Sequence, residues 1–403
     1  MAACYVDQAM PWPQSLVVVG GGRWARVLAG ELARLAPPAV TIAIETRHNL
    51  ETMRAWARER PERARVAVRS AWSAPSVPSC AVIVANAARD HVAAAERALM
   101  CRLPTLVEKP LALTAREARA LAHTASAGNI PFAAAHVFLF ARYLEHFGAR
   151  VAARGGATAL RVHWADPVVE ERHGEPKRYD PGLPVYADVL PHAVSMARLV
   201  VPDGPISGGS LDAYRGGATV HVRFRIGAIQ CTALLERNAQ VRCRVVEADV
   251  EGGTVRLDFS REPGCISDGA SAFAGDPDWD SGMRPVASML TAFVGAAVSG
   301  DIDSRFDVAV ATAACELIEH LGAPYDAATI PPVLERIAQT GSLHADVRYT
   351  LAELLQAAGP LPSDELDRRI DLLVARIRRS DDASLRDPRT VKDVAAAVSR
   401  QGM

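Results

Sequence analysis

"SLVVVGGGRWARVLAGELARL", residues 15–35, sets an apolar run against three glycines and then a helical pattern. Leu16 to Val19 reads as a buried strand, since a short continuous apolar run bounded by a turn leaves no solvent face. Gly20, Gly22 and Ala25 follow in a G-x-G-x-x-A spacing that encloses Arg23 and Trp24. In this spacing the first glycine permits a tight turn and the second lets the backbone approach a pyrophosphate. The small third residue lets helix and strand pack closely. The helix that opens here offers unpaired N–H groups and the positive end of its dipole to phosphate. Such spacing alone is a weak sign, and its place directly between strand and helix gives it weight.

Working outward, "AVTIAIETRHN" (39–49) is a second strand pattern ending in polar residues. Cofactor choice is set about 20 residues after the glycines, by an acidic residue on a ribose hydroxyl or an Arg on a 2′-phosphate. Both types occur here, at Glu45 and Arg47. A strand running through Glu45 turns Thr46 and Arg47 towards the ribose and favours NADP(H). A strand stopping at Ile44 gives Glu45 the NAD(H) role. The order Thr46-Arg47, small polar then basic, leans to NADP(H), with NAD(H) as the other choice.

"RVAVR" (65–69), "CAVIVAN" (80–86), "PTLVEKP" (104–110) and "IPFAAAHVF" (130–138) continue the strands, with helical patterns such as "RDHVAAAERALM" (89–100) between them. Alternating strands and helices argue for a doubly wound parallel sheet. Ligands sit beyond the carboxyl ends of such strands. That rim receives Gly22, Asn86 and Lys109. The lysine stands out because the chain has 45 Lys plus Arg but only three lysines, Lys109, Lys177 and Lys392. Arg stays protonated at ordinary pH, whereas burial can tune a Lys amine to exchange a proton.

These residues carry a resemblance. The glycine loop, "AN" with "DH" after it, "VEKPLALT" and a later Asp/His pair resemble the Gfo/Idh/MocA oxidoreductases over roughly residues 15–322. The resemblance implies a Rossmann domain that binds NAD(P), with Lys109 beside the nicotinamide and Pro110 fixing the turn, through a cis bond in one version. It adds His91 and Glu108 to the cofactor-side residues, and His136, after the sixth strand, to the substrate side.

A second pattern starts at "TALRVHWADP" (158–167). In "YDPGLPVYADVLPHAVSMARLV" (179–200), Asp188 and His192 are four apart and share a helix face. The resemblance makes His192 a general acid or base and places Asp188 near the substrate. Histidine suits this role because it exchanges protons near neutral pH. Residues 209–260 alternate apolar and polar, as expected of a mainly antiparallel sheet with one covered face. Two helical patterns follow, at 284–300 and 307–321. The charged loop "VVEERHGEPKRYDPGLP" (168–184) offers Arg172, Lys177 and Tyr179 as substrate contacts. The aromatic stretch "HVFLFARYLEHF" (136–147) reads either as an apolar pocket wall or as ordinary helix core.

The expected architecture is α/β: a Rossmann domain over 1–145, an α+β substrate and oligomerisation domain with a large open sheet over 146–325, and a helical extension over 326–403. The resemblance implies a homodimer or tetramer formed through the open sheet. A net charge of -1 without a basic tract argues against nucleic acid. No apolar stretch approaches the ~20 residues that span a bilayer. Seven scattered cysteines without a Cys-x-x-Cys pair favour a reducing cytoplasm and offer no metal framework. "MAACYVDQAMPWPQ" lacks the pattern of a signal peptide. The function expected is hydride transfer between a nicotinamide cofactor and a C–O or C=N carbon of a sugar, cyclitol, imine or ketone. The alternative is a cofactor-binding regulatory or partner protein without turnover.

Overall fold

The computed structural model describes residues 12–59, 63, 65–70, 79–167, 169–172, 174–177, 183–214 and 217–329. Almost all of the expected extension over 326–403, and Tyr179, lie outside them. By its contacts the chain divides into two compact units.

The first unit is built on a parallel six-stranded sheet. Its elements are β1 (Ser15–Val19), α1 (Arg23–Leu35), β2 (Thr41–Glu45), α2 (Leu50–Arg58), β3 (Val66–Arg69), β4 (Cys80–Val84), α3 (His91–Met100), β5 (Thr105–Val107), α4 (Ala115–Ala127) and β6 (Phe132–Ala134). The strand order is β3-β2-β1-β4-β5-β6, all parallel. It reverses direction between β1 and β4, the switch point where open α/β sheets bind ligands. The central strands are apolar because both faces are covered: Leu16, Val18 and all of Ala81 to Val84 are fully buried. Helix α1 buries Ala25, Leu28, Ala29, Leu32 and Ala33, one stripe at helical spacing. It ends where Pro37 and Pro38 forbid continuation. There the Arg65 guanidinium donates to the carbonyls of Ala33, Ala36 and Pro37 at 2.5–2.8 Å, satisfying acceptors left free at the helix end.

The second unit holds α5 (Arg142–Ala153), β7 (Ala159–Pro167), the short hairpin β8 (Glu171–Arg172) and β9 (Glu175–Pro176), and α6 (Val185–Val200). The strands β10 (Ile206–Tyr214), β11 (Thr219–Ile226), β12 (Ile229–Ala239), β13 (Cys243–Val250), β14 (Gly253–Asp258), β15 (Cys265–Asp268) and β16 (Ser271–Ala274) follow. Its eight-stranded sheet runs β10-β11-β12-β7-β13-β14-β15-β16, antiparallel except for the β12–β7 pair. The alternation in the sequence maps directly onto its faces. Leu160, Val162, Trp164, Val220, Val222, Phe224, Ala233 and Leu235 are buried, on the side where α5 and α6 pack. The opposite face carries a ladder of charge: Arg161 meets Glu247 and Asp249 at 3.3 and 2.6 Å, and Arg256 meets Glu247 and Asp258 at 2.6 and 3.3 Å.

The chain then gives α7 (Pro285–Ser299) and α8 (Val308–Thr329). Residues 280–312, read from sequence as part of the second domain, cluster with the first unit. The cause is apolar packing. Helix α7 buries Met289, Leu290, Phe293 and Val294 and packs on α1 and on the turn Val137–Phe140, while Phe306 contacts Phe140 and Phe293 with ring centroids 4.8 and 6.5 Å apart. Among the described residues, no single helix is long and apolar enough to cross a membrane.

Candidate active site

The sheet of the first unit gathers most of the expected cofactor residues at one rim. Gly20 follows β1 with φ 153, and a Cβ there would lie 2.4 Å from the carbonyl oxygen of Ala85, just after the neighbouring strand β4. A Cβ on Gly21 would meet the Thr46 hydroxyl and the His48 carbonyl. Both glycines are therefore required by close approach of backbone. Gly22 differs: it is exposed, and a Cβ would meet nothing within 4 Å. It is the N-cap of α1, and no side chain caps the helix there. An open backbone position at a helix N-terminus is what close approach of a pyrophosphate needs. Ala25 is fully buried against the sheet, the role expected for the third small residue. Arg23 and Trp24 are half-buried on the first turn.

The loop after β2 is tied to this cradle. The strand runs through Glu45, whose carboxylate is buried. Thr46 is buried too, and its hydroxyl donates to the His48 carbonyl. Arg47 is exposed. Asn49, in the left-handed region at φ 59, donates from its carboxamide to the Gly21 carbonyl at 3.1 Å. Sequence reading overlooked Asn49; its signal was its place at the N-cap of a helix after a turn, where Asn tolerates positive φ.

At the end of β4, the Asn86 amide nitrogen donates to the Asp90 carbonyl at 3.1 Å, while its side-chain oxygen is buried and accepts no hydrogen bond among the described residues. A buried acceptor without a donor is costly unless a ligand satisfies it. This orphaned oxygen and the open space over Gly22 fit a nicotinamide dinucleotide along this rim.

His91, expected to touch cofactor, is instead buried, with its ring between two backbone carbonyls. Nδ1 lies 2.7 Å from the Pro110 oxygen and Nε2 lies 3.3 Å from the Asn86 oxygen. It therefore ties the Asn86 loop to the Lys109-Pro110 turn. The Lys109–Pro110 bond is cis. Lys109 is half-buried at the carboxyl end of β5. Glu108 is buried, and burial pushes its carboxyl up to about 7, with the Trp24 indole, the Lys109 ammonium and the Lys109 N–H offsetting part of the effect. His136 is buried just after β6.

The second unit brings together a different set. Asp188 and His192 lie one turn apart on α6, as their spacing required. Asp188 accepts from Arg237, itself 1% exposed, at 3.1 Å. The His192 ring stacks on Trp164 with centroids 5.1 Å apart and an interplanar angle of 17°. The Arg244 guanidinium, fully buried, lies 3.6 Å from the centroid of the same Trp164 ring. Arg244 pairs with Asp166, as does Lys177. Burial alone would raise the Asp166 carboxyl, but the Arg244 and Lys177 charges outweigh it and hold it at about 2. Lys177 also lies 3.3 Å from Glu170, and burial lowers its ammonium against these carboxylates. Its charge is thus committed to a buried ion cluster, where the sequence reading offered it to substrate. Arg172 is likewise paired, with Glu262 at 3.2 Å. The aromatic stretch resolves as core: Phe138, Phe140, Tyr143 and Phe147 are all buried, and Tyr143 packs on Phe259 and Trp279 at 5.3 and 6.0 Å. Among the described residues, no group of three or more His, Cys, Asp or Glu is placed to hold a metal ion.

A glycine cradle at a strand-order reversal, with a lysine on the same rim, defines the dinucleotide-binding half of an oxidoreductase. Residues 15–136 match the family model described as "Oxidoreductase family, NAD-binding Rossmann fold". That match covers the N-terminal domain, which is similar to the NAD-binding domain of the Gfo/Idh/MocA oxidoreductases. Comparison with curated proteins gave no match. Solved structures similar in fold include myo-inositol 2-dehydrogenase from Lactobacillus plantarum (TM-score 0.61, 14% identity, 78% of this chain and 98% of that one). A 3-ketoreductase from Actinomadura kijaniata, in complex with TDP-benzene and NADP, aligns with TM-score 0.61 and 17% identity over 76% of this chain and 96% of that one. GenD2 from gentamicin A biosynthesis, in complex with NAD, aligns with TM-score 0.61 and 21% identity over 77% and 93%. At these identities the likeness is one of fold.

Proposed function

We propose that the protein is an NADP(H)-dependent dehydrogenase or reductase of a sugar-like polyol or its keto form. The observation that carries the reading is Lys109, half-buried at the carboxyl end of β5 on the rim that holds the open Gly22 cradle and the orphaned Asn86 oxygen. When bound, the cofactor supplies or accepts the hydride. The α1 N-terminus would hold its phosphates, and the Asn86 side-chain oxygen would accept a hydrogen bond from it. Lys109 donates to the oxygen on the reacting carbon, stabilising the negative charge that develops there. In the second unit, the resemblance makes His192 the candidate for proton exchange and Asp188, one turn away on α6, a candidate substrate contact.

The sugar-like class rests on two supports. The proteins of similar fold include a myo-inositol dehydrogenase and a ketoreductase crystallised with a TDP compound. The aromatic stretch that favoured an apolar substrate is core packing in this chain. NADP(H) is preferred because β2 runs through Glu45, leaving Thr46 and Arg47 as the residues beyond the strand.

The test is steady-state turnover of Lys109→Arg, followed by absorbance of the reduced cofactor with cyclitols, sugar nucleotides and their keto forms as substrates. Guanidinium is bulkier and does not readily donate its proton. Turnover should fall about 100- to 10,000-fold, the range of general acid–base groups, while cofactor affinity holds. Parental turnover in this variant would remove Lys109 from the chemistry, and cofactor binding without turnover of any substrate would favour a regulatory protein.

A further inference from the structure

Strand β12, which packs under α6, carries a buried cation where its pattern calls for an apolar residue. Every second side chain of the strand is buried: Cys231, Ala233 and Leu235 are apolar, and Arg237 follows them at 1% exposure. A guanidinium in that row is costly unless it is paired and hydrogen-bonded. Its partner stands on α6: Arg237 Nη2 donates to Asp188 Oδ2 at 3.1 Å. The strand is also irregular at this point. Glu236 pairs with Ala165 and Ala239 with Pro167, so β12 carries one residue more than β7 over the interval that holds Arg237. An extra residue of this kind bends a strand and re-aims a side chain.

Each member of the helix pair therefore has its own support from the sheet. Trp164 of β7, opposite Leu235 of β12, stacks on the His192 ring. Arg237, two residues beyond Leu235, holds the Asp188 carboxylate, which is 21% exposed. The cation thus backs the acid on its buried side. Asp188 also stands in the first turn of α6, where the positive end of the helix favours a negative charge. An ionised carboxylate has about four lone-pair sites. One hydrogen bond from Arg237 orients it without exhausting its capacity to accept from a hydroxyl.

We propose that Arg237 is a positioning residue of the oxidoreductase reaction. It holds the Asp188 carboxylate in the orientation that accepts a hydrogen bond from a hydroxyl of a sugar-like substrate. The inference rests on the reading of Asp188 as a substrate contact. At 1% exposure, Arg237 acts through Asp188 and not on substrate itself. Fixing the acceptor before substrate arrives removes the cost of ordering it on binding. A planar guanidinium fixes direction more firmly than an ammonium does. The arrangement also gives the site a polarity: an ionised carboxylate only accepts, so the substrate group opposite Asp188 must be a donor.

The test is a double-mutant cycle in kcat/KM on the full-length protein, with NADP(H) and whichever cyclitol, sugar nucleotide or keto form the parent turns over fastest. Arg237→Met should lower kcat/KM by at least ~10-fold, the effect of losing a hydrogen bond to a charged group. In an Asp188→Asn background the same change should lower it by less than about 2-fold, because no carboxylate is left to place. Arg237→Lys keeps the charge without the fork and should fall between Arg237→Met and the parent. Where Arg237→Met does not fold, Arg237→Gln takes its place in the cycle. Thermal melts and cofactor affinity report the folding of each variant. Equal fold-losses in the two backgrounds mark a merely structural arginine and overturn the proposal, as does parental kcat/KM in folded Arg237→Met. A parent that turns over none of these compounds removes the oxidoreductase reading and this inference with it, whereas parental turnover with equal losses overturns the inference alone.

Discussion

His192 and Trp164 stack, 5.1 Å between ring centroids, and the Arg244 guanidinium lies 3.6 Å from the centroid of the same Trp164 ring. One indole thus locks the orientation of the histidine to a buried cation that is itself held by Asp166 and by the carbonyls of Ala165 and Cys243. Removing the ring should be costly twice over. Trp164→Ala is expected to destabilise the protein by about 3–5 kcal/mol, the range for large-to-small aromatic core changes. Trp164→Phe keeps a ring for both neighbours and should lose less than half of that. Denaturant unfolding of the two variants checks this, and equal losses would show that the stack contributes nothing beyond filled volume.

The three glycines of the cradle should separate into two behaviours. Gly20→Val drives a side chain into the Ala85 carbonyl and should lower the melting temperature sharply. Gly22→Val meets open space and should leave the melting temperature nearly unchanged while abolishing cofactor binding. Calorimetric titration with NADP(H) and a thermal melt on both variants test the pair. A Gly22→Val protein that binds cofactor like its parent moves the pyrophosphate elsewhere.

Glu108 gives a pH signature. Folded, its carboxyl holds the proton up to about 7, whereas an ordinary glutamate releases it near 4.5. The folded state therefore binds the proton more tightly, and stability is fully present below about 4.5 and declines as pH rises through 7. A shift of this size corresponds to about 3 kcal/mol. Glu108→Gln mimics the protonated group and should flatten that decline in the cofactor-free protein. Parallel pH–stability curves for parent and variant between pH 5 and 8 would contradict it.

Arg47 should decide between the cofactors. Exposed just beyond β2, it is the residue proposed to meet a 2′-phosphate. Arg47→Ala should weaken NADP(H) binding by about 1.5–3 kcal/mol, the worth of a hydrogen bond to a charged group, and leave NAD(H) almost unaffected. Equal loss of both cofactors, or tighter binding of NAD(H) by the parent, would return the ribose role to Glu45.

Lys177 behaves as a structural cation. Lys177→Met removes one of two charges facing Asp166 and one facing Glu170. Because Arg244 and Arg242 remain beside them, the loss of stability should fall below the ~3–5 kcal/mol of a fully broken buried pair. The substrate KM should not change. A raised KM with unchanged stability would instead make Lys177 a substrate contact.

Much of the first unit was legible because its signals are local. The strand–helix alternation, the glycine spacing and the place of Lys109 at a strand end each occupy a few consecutive residues, and period and turn chemistry suffice to read them. The pairing of Asp188 with His192 was legible for the same reason, since one helical turn fixes it. The alternation of residues 209–260 made the mainly antiparallel sheet legible.

What tertiary structure alone decided lies across long separations in the chain. Helix α7 belongs with α1, some 250 residues earlier, because an apolar surface packs where a complementary one exists, and sequence order does not constrain that choice. Trp164 stacks on His192 and Arg237 pairs with Asp188 from the sheet strands, and Arg244 backs Trp164, so no local pattern marks them. Lys177 looked available in a charged loop, and only the approach of Asp166 and Glu170 showed its charge already matched. Local chemistry determined which elements form and which residues end them; the partners of a buried charge or an aromatic face were set by packing, which acts on distance in space.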